Sequence, residues 1–308
     1  CSYRNTQTFL TYKSRIIKNL NFNYSLRMVI LMREKLLDFL QRDFSKDIHE
    51  LNAILRLKDE NQLASEVPPN PFVGNPELLV PGECIAMFGI NPAYRPKMKG
   101  FQETEIDIPT KSLDAWKVSG DHEELIPWMR KIEDYFISDV YYGRYFTRLG
   151  NILGKTEFNT TWKDSQKGTG ARMVFHKHVL KLDIIPYYST KAKFSHDLLK
   201  EAYETHPALI SYRAFVSDLL TRTKPRWIFL NGNAPTELME SLFSTQPFEK
   251  INSGPTKRTE ISVGEISLSK IKIPVLGVKF VNSINGPTSD EDWDSIWPSW
   301  KKWYDEQC

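Results

Sequence analysis

Four short apolar runs punctuate the chain, and turn residues close each one. Cys84–Ile90 ends at Asn91-Pro92, His178–Ile185 at Pro186, Arg226–Leu230 at Asn231-Gly232-Asn233, and Pro274–Val281 at Asn282-Ser283. Apolar runs of this length between breakers predict buried strands. The stretches Pro127–Leu153, Pro207–Thr221 and Pro235–Phe243 carry helical patterning between them. Strands alternating with helices predict an α/β fold: three layers, α/β/α, around a central four-stranded parallel sheet. In such sheets ligands bind beyond the C-terminal ends of the strands. The closing residues are therefore the candidates for chemistry.

The flanks add detail. Leu36, Leu37, Leu40, Ile48, Leu51, Ile54 and Leu55 recur at helical spacing, which predicts N-terminal helices separated near Asp43–Asp47. A breaker-rich linker follows, from Pro68-Pro69-Asn70-Pro71 through Gly74, Pro76, Pro81 and Gly82. It divides a helical extension, 1–67, from an α/β domain, 68–308. Two long polar stretches, near 94–126 and 246–272, predict insertions; alternation over Thr259–Ser269 suggests an added hairpin. At the C-terminus, Trp293, Ile296, Trp297, Trp300 and Trp303 share one helical face, with Ser289 or Asp290 as cap. Packing on the core is the expected use of that face, ahead of base stacking.

Composition narrows the function classes. The 308 residues are 41% hydrophobic and 26% charged, a globular balance, and the net charge is only +3. Contact with nucleic acid would have to come from local patches. Arg95, Lys97 and Lys99 follow the first run, Lys191 and Lys193 the second, and Lys257 and Arg258 lie in the second insertion. Cys1, Cys84 and Cys308 suit neither a disulfide framework nor a clustered metal site, so no metal is expected. No run approaches the ~20 apolar residues of a membrane span. No secretory signal is evident, and the expectation is a cytoplasmic protein. No G-x-G-x-x-G or P-loop follows a strand, which argues against a nucleotide-binding enzyme.

Gly89-Ile90-Asn91-Pro92 at the end of the first strand resembles the first motif of the uracil-DNA glycosylase superfamily. Leu182-Asp183-Ile184-Ile185-Pro186 stands where that family reads the base, usually with Asn. Leu230-Asn231-Gly232-Asn233 resembles its phosphate-gripping turn. Asn282-Ser283-Ile284-Asn285-Gly286-Pro287 falls at its second motif, commonly H-P-S-P, and Tyr145-Phe146-Thr147-Arg148-Leu149 looks like a helix that follows the first motif. The resemblance covers roughly Gly82 to Ser289.

It implies hydrolysis of an N-glycosidic bond in DNA without a cofactor. Asn91 would hold the attacking water. An amide both donates and accepts, so it can orient water without removing its proton outright. Asn282 would lie over the departing base's O2, where the family more often has His. Gly89, Ile90, Pro92 and Ser283 would frame the base. Gly232, Asn233 and Asn285 would contact DNA, and Ile284 would wedge into the helix. Tyr94, Phe101, Tyr187 and Tyr188 are candidate stacking partners for a flipped base. No lysine lies in these motifs, so base release without strand cutting is expected.

Two departures bear on the base. The uracil-specific branch has Tyr after the motif's Pro; Ala93 stands here and leaves room for a 5-substituent. Asp183 replaces Asn. An ionised carboxylate only accepts, which suits the N4 amino group of cytosine and not O4 of uracil. Together they suggest a 5-substituted cytosine, as in phage DNA carrying glucosylated hydroxymethylcytosine, and hence a bacterial phage-defence glycosylase. The alternatives are a repair glycosylase for uracil or mismatched thymine, and an inactive DNA-binding module of the same fold. For Asp183 alone, the alternative is a structural carboxylate paired with a nearby Lys or Arg.

Overall fold

The computed structural model describes residues 34–138, 143–153, 157, 171–191, 193–268, 271–281 and 283–307. Asn282, Cys1, Cys308 and everything ahead of residue 34 lie outside that set. The fold is α/β, built on a central, mostly parallel sheet. Its strands are β1 (Ile85–Gly89), β2 (Val179–Asp183), β3 (Trp227–Asn231), β4 (Glu249–Asn252), β5 (Glu260–Leu268) and β6 (Ile271–Val278), in the spatial order β2-β1-β3-β6-β5-β4. The four apolar runs supply the parallel strands β2, β1, β3 and β6.

The sheet has six strands, not the expected four. The alternating stretch near residue 260 forms β5, which pairs antiparallel with β4 as the added hairpin expected in the second insertion. β5 also runs antiparallel to β6 over eight register pairs, and β4 closes the edge. β4 is mostly exposed and carries Glu249 and Lys250, charges that discourage further strand addition.

Helices cover both faces. They are α1 (34–40), α2 (Phe44–Ile54), α3 (Ile108–Ser119), α4 (Ile126–Glu133), α5 (Gly143–Leu153), α6 (Ala171–His178), α7 (His196–Thr205), α8 (Pro207–Thr223), α9 (Asn233–Phe243) and α10 (Asp290–Gln307). β1 shows how the faces divide. Ala86 and Phe88 pack with α2, α7, α8 and α9, whereas Ile85 and Met87 pack with α5, α6 and α10. Period-two alternation in a strand buried on both sides produces this split. Leu36, Phe39, Leu40, Ile48 and Leu51, ahead of the linker, belong to the first of these cores.

The single helix expected over Pro127–Leu153 is broken: α4 stops at Glu133, with Asp134 as its C-cap, and α5 begins at Gly143. The first insertion is helical as well. A π-helix, Gln102–Asp107, runs into α3. α10 starts as expected: Ser289 Oγ accepts from the Asp292 amide, and Asp292 Oδ2 accepts from the amides of Thr288 and Ser289. Trp293, Ile296 and Trp300 are buried against the sheet, so this face is core.

Candidate active site

A cavity of about 540 Å³ opens at the C-terminal ends of the parallel strands. Gly89, Ile90, Asn91, Pro92, Ala93 and Asp183 all line it, so the ends of β1 and β2 deliver the first motif and the candidate base reader together. Parallel pairing sets Gly89 beside Asp183. Two further bonds carry the pairing past the strand ends, from the amides of Ile184 and Ile185 to the carbonyls of Gly89 and Ile90.

Asn91 is held by its nitrogen. Nδ2 donates to Pro92 O (3.1 Å), Tyr187 O (3.1 Å) and Ser189 Oγ (2.8 Å). Two of these partners are carbonyls and can only accept, so the amide cannot be turned over. Ser189 is fixed in turn, because its hydroxyl donates to Lys191 O at 2.9 Å. With the nitrogen engaged, Oδ1 is the atom left to bind water.

Asp183 is 3% exposed. It forms a buried ion pair through Oδ2 with Lys181, two residues earlier on the same face of β2. Lys181 also lines the cavity, although no lysine lies in the strand-end motifs themselves. Burial pushes the Asp183 carboxyl above its ordinary range, and Lys181 pulls it back down. Buried tyrosines fix the backbone here. Tyr212 Oη lies 2.9 Å from Asp183 O, and Tyr203 donates to Ile184 O.

A second carboxylate lines the cavity. Glu105, on the π-helix, accepts through Oε2 from Lys131 of α4 (2.6 Å) and from the Tyr188 hydroxyl. Burial lowers the Lys131 pKa, with Glu105 opposing, and raises that of Tyr188 well above its ordinary value. Nothing in the sequence pattern pointed to Glu105 or Lys131. For Lys181 a signal existed: a lysine inside a wholly buried strand needs a partner.

The aromatic candidates divide. Phe101 and Tyr188 line the cavity and meet edge to face, with centroids 5.9 Å apart. Tyr94 stands behind Phe101 (5.6 Å) and borders a neighbouring cavity. Tyr187 is no substrate contact: its ring is fully buried against Phe39, and only its carbonyl serves the site, through Asn91. Phe280, at the end of the β6 run, lines the cavity while 43% exposed and escaped notice in the sequence.

The other strand ends are partly as expected. The Gly232 amide donates to Val278 O (2.9 Å), so it is not free to grip a phosphate; Asn233, the first residue of α9, is exposed. The backbone of Val281 is clamped at both ends, its amide by Asn231 Oδ1 (3.0 Å) and its carbonyl by Arg148 (2.6 Å). After it comes a tight turn in which Ser283 Oγ accepts from the Asn285 amide. Ser283 does not line the cavity. Gly286 is required in this turn, because a Cβ there would stand 2.1 Å from Phe280 O. Ile284 projects from the turn, 86% exposed.

The basic candidates also divide. Arg95 lines the cavity, and Lys97 and Lys193 are exposed. Lys191 is engaged with Glu60.

Ligand atoms of Asp47, Glu50 and His206 fall within 4.8 Å of one another. Asp47 is taken by a two-pronged pair with Arg42, and His206 Nδ1 accepts from the Ala208 amide, so hydrogen bonding within the fold accounts for this group. No described helix is long and apolar enough to cross a membrane. The chain matches no protein-family model and is similar to no curated protein sequence.

Proposed function

We propose that this protein is a monofunctional DNA glycosylase that hydrolyses the N-glycosidic bond of a flipped, 5-substituted cytosine and leaves an abasic site, in defence against phage DNA. The observation that carries the proposal is the setting of Asn91. Its nitrogen is locked by three acceptors at a strand end, and its oxygen is left to orient a water beside a cavity large enough for a base.

In the reaction the C1′–N1 bond breaks as positive charge grows on the sugar. The water held by Asn91 Oδ1 adds to C1′ and gives up a proton, and the base leaves with the bonding electrons and is protonated. Asp183 accepts from the N4 amino group through Oδ1, while Lys181 neutralises Oδ2. Ala93 leaves space at C5. Phe101 and Tyr188 form an aromatic wall beside the base, and Ile284 fills the gap in the duplex. Cations at the rim, Arg95, Lys97 and Lys193, meet phosphates.

Lys181 sharpens the monofunctional assignment. An ammonium paired with a carboxylate is a poor nucleophile, since attack needs a free amine. The test is direct. Matched duplexes carrying uracil, mismatched thymine, 5-methylcytosine, hydroxymethylcytosine or glucosylated hydroxymethylcytosine are incubated with the protein, and released bases are identified by mass spectrometry. A cytosine-type base should be released, with the strand intact until hot alkali is added. Release of uracil or thymine alone would favour the repair reading, and no release at all an inactive DNA-binding module. A borohydride-trapped adduct would show that Lys181, or another amine, attacks the sugar.

A further inference from the structure

The cavity holds more acceptors than a cytosine can satisfy. Asp183 and Glu105 each have one oxygen backed by a buried lysine. Among the described residues, Asp183 Oδ1 has no partner. Glu105 Oε1 faces only the Thr104 hydroxyl at 3.2 Å, and that hydroxyl has a better acceptor in Gly100 O at 2.8 Å. A third acceptor lies near. Asn70 lines the cavity, and its Oδ1 is buried without a hydrogen-bond partner. Cytosine's exocyclic amino group carries two N–H donors, one fewer than these three acceptors. With Asp183 taking one of them, Glu105 and Asn70 together need at least one donor from elsewhere on the ligand.

We propose that Glu105 and Asn70 form a subsite that reads hydroxyl groups on the C5 substituent, and that Glu105 is its principal specificity residue. The inference rests on the glycosylase reading above and deepens it. Its chemistry follows from the acceptors. A hydroxymethyl group brings one O–H and a sugar several, whereas a methyl group brings none and would leave an acceptor buried and unmatched. Lys131 and Tyr188 hold the Glu105 carboxylate in place before the ligand arrives, which lowers the ordering cost of binding. Space agrees with it: about 540 Å³ falls within the ~300–1,000 Å³ range of sites for drug-sized ligands, more than a bare base requires. So does placement, because π-helical turns inside helices occur frequently at functional sites, and Glu105 stands on such a segment.

The test compares kcat/KM of the full-length protein and Glu105→Gln on duplexes differing only in the target: 5-methylcytosine, hydroxymethylcytosine or glucosylated hydroxymethylcytosine. The wild type should prefer the hydroxyl-bearing bases. Glu105→Gln should lose ~10- to 100-fold on them, the size of one good directional pair, and change less than about threefold on 5-methylcytosine. Equal losses on all three would make the Glu105–Lys131–Tyr188 group structural and overturn the subsite while leaving the glycosylase reading intact. So would a wild type indifferent to the hydroxyl. Absence of base release from every duplex would overturn both. If Glu105→Gln melts well below the wild type, Asn70→Ala carries the same comparison, with a smaller selective loss expected and the same outcomes decisive.

Discussion

Asp183 and Glu105 line one cavity and are held alike, yet they reach it by different routes. Asp183 ends a parallel core strand, with Lys181 two residues before it on the same face. Glu105 sits on a π-helix inside an insertion, and its lysine comes from α4. The sheet fixes the first pair through backbone register. The second pair exists only because two segments far apart in sequence are packed together. The sheet half should therefore carry what every substrate needs, and the added half what distinguishes one substituent from another. On this view, substitutions in the sheet half should affect all substrates or the choice of base, and substitutions in the added half only the substituent.

The largest effect should come from Asn91. Asn91→Ala removes the oriented water and should lower base release at least ~100-fold on every active substrate, as loss of one preorganised polar group does. DNA binding, measured by fluorescence anisotropy, should change little. Near-normal turnover in this variant would end the mechanism and dissolve the division between the two halves.

Next is the base itself. Asp183→Asn should shift the ratio of kcat/KM between cytosine-type and uracil-type targets by ~5- to 150-fold toward uracil, the value of a directional pair. Ala93→Tyr should exclude bulky C5 groups and leave the cytosine preference in place. A stability change with an unaltered ratio would make the Asp183–Lys181 pair purely structural.

The same two routes explain what the sequence made legible. Strand ends announce themselves, because an apolar run stops at a turn residue; Asn91 and Asp183 stand out for that reason. Four residues beyond the end of β2 the phase is lost. Tyr187 and Tyr188 are adjacent and equally aromatic, but one ring enters the core and the other the cavity. Alternation around residue 260 pointed to an added hairpin but not to β6 as the further neighbour of β5, since pairing is a tertiary choice. Glu105 and Lys131 belong to no periodic pattern that joins them. Asn70 looked like part of a breaker-rich linker, although that linker lies along β2, with Val73 and Lys181 exchanging backbone bonds.

The subtlest test concerns how Lys181 serves Asp183. Burial raises the Asp183 carboxyl, and Lys181 lowers it. The ionised form is the one that accepts from cytosine, so activity should rise as pH climbs through that raised pKa. Lys181→Met removes the opposing charge and leaves burial unchecked. The acid limb of the kcat/KM profile should then move to higher pH. Stability should follow the same sign. A carboxyl whose folded pKa is raised favours the fold while protonated, and that contribution disappears as pH rises through the folded value. The Lys181→Met protein should therefore lose more melting temperature than the wild type as pH rises through the raised Asp183 pKa. Adding Asp183→Asn should cancel that extra loss. A shifted limb with recoverable activity at high pH makes Lys181 a positioning residue. Loss of activity at every pH, in a folded protein, would instead mean that its amine takes part in the reaction.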